Sequence, residues 1–285
     1  MHGLGSDDQT TWKSLNGEDY WPIWLHDDLP QTAVWSITYP TSKLEWFTQA
    51  RSLVVVELGR VAIELAALEG LGERPIVWVT HSLGGLVVKQ ALRSAEGYGG
   101  EDWQRVLAAT RSIVFLGTPH QGSAVASAAK KLKLAVRPSE TTLELIKNSP
   151  QLQDLNDWFR TYAAANQLRV KPYYETEPLP GGLYVVDPNS ADPSVNNSPV
   201  TPVLGADHTS ISRPADRASM VYRACSREVQ EVTANGHPSI RTTVNPDPGS
   251  TPEIVLETLG ALLKERPDLP INLNININYG NESYG

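Results

Sequence analysis

The chain has 285 residues, with 24 Lys plus Arg against 32 Asp plus Glu and a formal net charge of −8. That acidic balance argues against a protein built mainly to coat nucleic acid, because phosphate neutralisation needs a cationic face. A hydrophobic fraction of 40% with 20% charged residues is ordinary globular composition, not that of a disordered chain or a coiled coil. No window reaches the ~18 apolar residues of a membrane span, and no basic-then-apolar secretory pattern opens the sequence. Cys225 is the one cysteine, so neither an intrachain disulfide nor a cysteine-rich zinc site is available. The expectation is a cytoplasmic protein with no metal and no cofactor.

In chain order, Ala33–Tyr39, Ile76–Thr80 and Ser112–Leu116 are short, β-branched or aromatic runs bounded by turn residues, and read as buried strands. Between the first two, Val54, Leu58, Val61, Leu65 and Leu68 follow 4-3-4-3 spacing and predict one face of a helix. Leu86 to Ala95 again reads as helix. Strand–helix–strand repetition points to a parallel sheet with helices on its faces.

From Ala124 to Leu168 the pattern is mostly helical, with breaks at Pro138 and Pro150. Shorter strand candidates follow at Arg169–Tyr174 and Gly182–Val186, then a Pro/Asn/Ser-rich loop over Asp187–Gly205 and a helix near Arg217–Val232. Residues 233–250 read as a linker. Pro252 is placed to start a helix over Glu253–Glu265. Ile271, Leu273, Ile275, Ile277 and Tyr279 then alternate with asparagines, a strand pattern with one apolar face and a candidate surface for self-association.

The sharpest local signal is Thr80-His81-Ser82-Leu83-Gly84-Gly85, between a buried strand and a helix. A serine hydroxyl is a weak nucleophile and needs a general base and a preorganised site for the oxyanion. A tight strand-to-helix turn would lift Ser82 above the sheet, with small residues around it relieving crowding. Thr80 stands where the usual G-x-S-x-G elbow has its first glycine. A serine capping a helix beside two packing glycines would look similar locally. Met1-His2-Gly3-Leu4-Gly5 is a His-Gly-apolar turn of the kind that supplies an oxyanion-hole N–H, with Leu4 giving one donor and Leu83 the other. A plain glycine turn is the alternative.

A base should follow the nucleophile in the order Ser, acid, His. His208 has that position, after the last core-strand candidate and before the last amphipathic helix of the core. His2 and His81 belong to turn motifs, His26 lies near Trp24, His120 follows Thr118-Pro119, and His237 sits in the linker. For the acid, Glu175 ends the strand Arg169–Tyr174, and Asp187, after the next strand candidate, is its rival.

Several motifs occur in one order. They are His2-Gly3-Leu4-Gly5, Trp24-Leu25 through Leu29-Pro30, and Arg74-Pro75-Ile76-Val77-Trp78 running into His81-Ser82-Leu83-Gly84-Gly85-Leu86-Val87-Val88-Lys89. Then come Gly117-Thr118-Pro119-His120-Gln121-Gly122-Ser123, Glu175-Thr176-Glu177-Pro178 and Asp207-His208. The series resembles the "serine active site-containing" family of α/β-hydrolases, which is similar to the lipase-like domains that precede NACHT-type NTPases. The resemblance covers about residues 1–232 and implies an α/β-hydrolase fold: a mostly parallel central sheet with flanking helices. It also implies a Ser82–Glu175–His208 triad, raises Glu175 above Asp187, and implies chemistry on membrane-lipid or other acyl esters. On that reading the stretch 124–168 is a helical cap. In the hydrolase sheet a strand leading into His-Gly lies between those represented here by Ala33–Tyr39 and Ile76–Thr80. The sequence opens at Met1-His2-Gly3, so the expectation is an N-terminally shortened member lacking that strand, its Leu4 turn left with nothing to fix it.

The leading functional expectation is a serine esterase or lipase acting on a small ester or lipid. The alternatives are an assembly-activated or non-catalytic signalling domain of a larger defence-type protein, and an acyltransferase using the same acyl-enzyme. Lys130, Lys131 and Lys133 could touch anionic lipid as a peripheral membrane contact, although three lysines on a helix usually form a solvated face.

Overall fold

Four short runs of the sequence pair side by side as parallel strands. A computed structural model describes residues 1–3, 8–38, 51–120 and 150–236. The strands are β1 (Ile76–His81), β2 (Thr110–Leu116), β3 (Arg169–Glu175) and β4 (Thr201–Val203), in the order β1-β2-β3-β4. Trp78 stands opposite Ile113, Val114 opposite Lys171, and Tyr174 opposite Pro202, every pair parallel. Parallel strands need crossovers, and helices supply them: α4 (Gly84–Tyr98) and α5 (Glu101–Ala109) between β1 and β2, and α6 (Pro150–Ala165) ahead of β3. Before β1 come α1 (Asp8–Thr11), α2 (Pro22–Asp28) and α3 (Arg51–Leu68); α7 (Met220–Gly236) follows β4.

The central strand β2 is apolar on both faces, as a sheet covered on both sides requires. Ile113 and Phe115 pack with Ala62, Ile63, Val87, Val88, Leu92 and Phe159 from α3, α4 and α6. Val114 and Leu116 face the other way, toward Trp12, Trp21, Trp24, Leu25, Tyr222 and Cys225. Residues Met1–Val232 form one compact unit; of the second, Thr233–Gly285, residues 233–236 are described, as the end of α7.

Three expectations need correction. Ala33–Thr38, the described part of the first strand candidate, forms no strand, and Ala33, Val34, Trp35 and Ser36 are exposed. A β-branched run becomes a strand only where its backbone groups find a partner, and along the outer edge of β1 they are met instead by Met1. Its amino group donates to the Val79 carbonyl at 3.0 Å, and its own carbonyl accepts from His81 N–H at 3.1 Å. Through Gly3, then, the opening turn is held in place. Second, Gly182–Val186 is not a strand but a turn with one antiparallel bridge, Leu179 to Leu183. The fourth strand is Thr201–Val203, from the segment read as loop, and Pro202 fits it because β4 is at the end of the strand order.

Third, the buried face of α3 is not the leucine–valine stripe. Val61, Leu65 and Leu68 are exposed, while Val55, Ala62, Ile63 and Ala66 are buried. The two helices approach closely: a Cβ on Gly59 would lie 2.7 Å from Gln90 Cγ and 2.9 Å from the Ala91 backbone of α4. Of the expected stripe, Val61, Leu65 and Leu68 are thus turned outward, while Leu58 is half-buried against the core. The expected cap falls outside the described residues up to 149; from Pro150 it is α6, whose Phe159 and Tyr162 belong to the core. Lys130, Lys131, Lys133, His237 and the Asn/Ile run 271–279 also lie outside the described residues.

Candidate active site

β1 ends at His81, α4 begins at Gly84, and Ser82 occupies the turn between them with φ of +53°. A non-glycine residue in that region is strained and persists only where its surroundings fix it. Ser82 N–H donates to Leu116 O at 2.9 Å, and its carbonyl accepts from Gly85 N–H at 3.2 Å and from Thr118 Oγ1 at 2.9 Å. The glycines after it are required sterically. A Cβ on Gly84 would sit 2.5 Å from the His2 carbonyl oxygen, and one on Gly85 would collide with the Thr118 side chain. Thr80, the departure from the glycine pattern, is fully buried and donates its hydroxyl to the Val114 carbonyl at 3.0 Å across the strand pair.

His208 approaches Ser82 from a loop shaped by Asp207, whose Oδ1 accepts from Thr209 N–H at 2.9 Å and Ser210 N–H at 2.7 Å. Ser212, two positions past that turn, donates to Thr11 O at 3.1 Å and accepts at its carbonyl from Trp21 Nε1 at 3.0 Å. These contacts deliver the imidazole. Its Nε2 lies 2.9 Å from Ser82 Oγ and its Nδ1 3.2 Å from Glu175 Oε1. Glu175 closes β3, and its Oε1 also accepts from Val186 N–H at 2.6 Å. Ser82, His208 and Glu175 are each about 2% exposed. In this arrangement His208 Nδ1–H donates to the carboxylate, Ser82 O–H donates to Nε2, and the serine proton has an acceptor.

Asp187 is not part of this chain of bonds: it is exposed and accepts from Ser190 N–H at 2.9 Å, capping a local turn. The segment read as its supporting strand instead contributes the Val186 amide to Glu175. Leu83 begins the approach to α4, with its amide next to Ser82 at the positive end of a 15-residue helix. Leu4 lies outside the described residues, but Gly3 abuts the elbow, where a Cβ would lie 2.8 Å from Ser82 Cβ. His26 is remote, exposed and paired with Thr32 O at 3.2 Å.

Sequence reasoning passed over two neighbours. His81 is buried, with Nε2 2.8 Å from the His208 carbonyl oxygen and its ring centroid 5.2 Å from that of His208. Burial first, then the proximity of His208, pushes its pKa down to about 3. Lys89, fully buried on α4, contacts His120 Nδ1 and Asn156 Oδ1, both at 2.7 Å. The signal available was Lys89 itself, a lysine directly after the apolar run Leu86-Val87-Val88 of a helix. Among the described residues no group of three or more His, Cys, Asp or Glu could hold a metal, and no helix is long and apolar enough to cross a membrane.

No family model matches the chain. It is similar to Protein SERAC1 of Homo sapiens, 30% identical over 257 residues that take in 82% of this chain and 38% of the relative. The Danio rerio protein of the same name is 31% identical over 259 residues, 81% of this chain and 38% of the relative. The chain thus spans well under half the length of these curated relatives. Among solved structures it is similar to the phospholipase PlaB from Legionella pneumophila in complex with thio-NAD. There the TM-score is 0.50 at 14% identity, covering 83% of this chain and 62% of that one. That likeness is one of fold. The parallel sheet with flanking helices is of the α/β-hydrolase type.

Proposed function

We propose that this chain is a serine hydrolase that cleaves carboxylic esters, with lipid or other acyl esters as its substrate class. The observation that carries the reading is the continuous hydrogen-bonded line from Ser82 Oγ through His208 to Glu175, at 2.9 and 3.2 Å. In the first half-reaction Ser82 Oγ attacks the ester carbonyl carbon while its proton passes to His208 Nε2. The developing oxyanion is held by the Leu83 amide at the start of α4, with Leu4 the second donor that the sequence motif implies. Collapse of the tetrahedral species breaks the C–O bond, and the leaving alcohol takes the proton from Nε2, leaving an acyl-serine. Water then attacks the acyl carbon, giving its proton to His208; the acid departs and Ser82 regains its hydrogen. Glu175 holds the imidazole in the tautomer that can accept at Nε2 and offsets the positive charge it carries between steps.

Support for lipid substrates comes from the fold shared with a phospholipase and from the motif series that resembles lipase-like domains. The test is labelling by a fluorophosphonate, followed by a panel of p-nitrophenyl esters and phospholipids. Labelling and turnover by the natural chain, both absent in Ser82→Ala, support the reading. A natural chain that folds yet neither labels nor hydrolyses any ester overturns it.

A further inference from the structure

Lys89 breaks the rule that a lysine is almost never fully buried without a partner charge. It is 0% exposed, and no acidic side chain of the described residues pairs with it. Its Nζ lies 4.4 Å from the Phe159 ring centroid and 5.5 Å from that of Phe115. Burial pushes the amine well below the usual lysine range, and burial together with the Lys89 contact does the same to His120. An amine buried here carries a desolvation penalty that a methionine of similar length does not. Packing alone would not select it.

The partner explains the choice of residue. His120 is also fully buried and packs edge-on to Phe115 at 4.6 Å. It ends the turn Gly117-Thr118-Pro119-His120, and that turn touches every member of the proposed triad. Gly117, at φ of +57°, lies so close that a Cβ there would be 3.1 Å from Glu175 Oε2 and 3.2 Å from His208 Nδ1. Thr118 Oγ1 donates to the Ser82 carbonyl at 2.9 Å. His120 N–H donates to Ser190 O at 2.7 Å, and the His120 ring meets Lys89. His120 is thus pinned to α4, the helix that follows the Ser82 elbow, and through Asn156 to α6.

We infer that Lys89 and His120 form a buried latch that fixes the Gly117–His120 turn and thereby sets the distances within the Ser82–His208–Glu175 line. Both are positioning residues, and neither touches the reacting atoms. The inference rests on the hydrolase reading. An amine suits the task because it donates to Asn156 Oδ1 and still meets the imidazole, linking three elements through one atom. A methionine would fill the volume and link nothing.

The experiment compares the natural chain, Lys89→Met and the double variant Lys89→Met/His120→Leu. It measures kcat and KM on p-nitrophenyl butyrate, the second-order rate of fluorophosphonate labelling, and the melting temperature. Lys89→Met is expected to lower kcat and the labelling rate about tenfold or more, since small misplacements of reacting groups are costly, with KM within about twofold. The double variant removes the buried amine and imidazole together and leaves only Asn156 Oδ1 without its donor, so it should recover part of the melting temperature while kcat stays low. If Lys89→Met alone does not fold, the double variant carries the comparison. A kcat within twofold of the natural chain in Lys89→Met, or a kcat that recovers with the melting temperature in the double variant, overturns the latch and leaves the hydrolase reading standing. A folded natural chain that is neither labelled nor active overturns the hydrolase reading and the latch with it.

Discussion

His81 Nε2–H donates to the backbone carbonyl of His208 at 2.8 Å, so the residue before Ser82 grips the residue that meets its hydroxyl. A carbonyl only accepts, which places the His81 proton on Nε2 and leaves Nδ1 as a lone pair, buried and with no hydrogen-bond partner among the described residues. With burial and His208 holding its pKa near 3, His81 stays neutral wherever the protein is folded near physiological pH. Two bonds therefore join the elbow to the histidine loop in parallel, one through the Ser82 side chain and one through its neighbour.

Replacing that donor should loosen the pair without touching either member. In His81→Phe the ring volume is kept and the His208 carbonyl loses its partner, a cost of about 1–3 kcal/mol for a buried acceptor. A fall in kcat of roughly tenfold is expected with it. His81→Gln carries an amide N–H of similar reach and should retain most of both. Chemical denaturation and steady-state ester hydrolysis measure the two effects, and equal losses in Phe and Gln would contradict the role.

Triad substitutions should rank in a definite order. Ser82→Ala and His208→Ala should each lower kcat by roughly 10⁴–10⁶-fold, because such groups act as a unit, and Ser82→Ala should leave the melting temperature close to that of the natural chain. Glu175→Gln should cost less than His208→Ala. Asp187→Asn should stay within about twofold, since its carboxylate only caps the Ser190 turn. Initial rates on a p-nitrophenyl ester give the order, and a larger effect at Asp187 than at Glu175 would mean that the acid is misassigned.

A stability prediction concerns the opposite end of the strands. Glu228 of α7 accepts from Ser112 Oγ at 2.9 Å and from Arg169 Nε and Nη2, both at 2.9 Å, tying α7 to the starts of β2 and β3. Burial raises its pKa, but the Arg169 and Ser112 hydrogen bonds outweigh that and hold it below the ordinary value of 4.5. A depressed carboxylate stabilises the fold above its unfolded pKa, and the contribution is lost as pH falls through the folded one. Glu228→Gln should therefore cost about 1–3 kcal/mol at pH 7, with the gap between variant and natural chain narrowing on acidification below 4.5. Urea unfolding across that range follows it; a gap independent of pH would rule out the charged form as its origin.

Within α4, two glycines should respond in opposite directions. Gly84→Ala drives a methyl to 2.5 Å from the His2 carbonyl oxygen and 2.7 Å from that of Met1. It should cost about 1–3 kcal/mol and lower kcat by displacing the opening turn. Gly97, with nothing within 4 Å of the added carbon, should gain up to about 1 kcal/mol from the better helix former. Thermal melts of the two variants compare them directly.

That Ser82, Glu175 and His208 come together was legible because they sit at strand ends, where order along the chain maps onto place in the sheet. Ser82 follows β1, Glu175 ends β3 and His208 follows β4. Less legible was anything set by a partner. Ala33–Thr38 has the composition of a strand but pairs with no strand among the described residues, and Thr201–Val203 has a proline yet fits the sheet margin. The buried face of α3 was misread because leucine and valine mark burial only when helices stand far enough apart to hold them. Gly59, Ala62 and Ala66 mark a closer approach, which periodicity of large side chains does not detect. Lys89 was hidden for another reason: its role depends on His120 and Asn156, 31 and 67 residues away.

The long-range tethers of the histidine loop also bear on when the site comes into being. Ser82 and His208 are 126 residues apart, and the loop that bears His208 is fastened by bonds from Ser212 to Thr11 and from Trp21 to Ser212, across 201 and 191 residues. During synthesis from the N-terminus, β1, β2 and their helices leave the ribosome well before that loop exists. A half-made chain can hold Ser82 in the elbow but has no His208 to meet it. The Ser82–His208 pair closes only when nearly the whole described unit has been made, so a nascent or prematurely ended chain carries a Ser82 that lacks its imidazole partner.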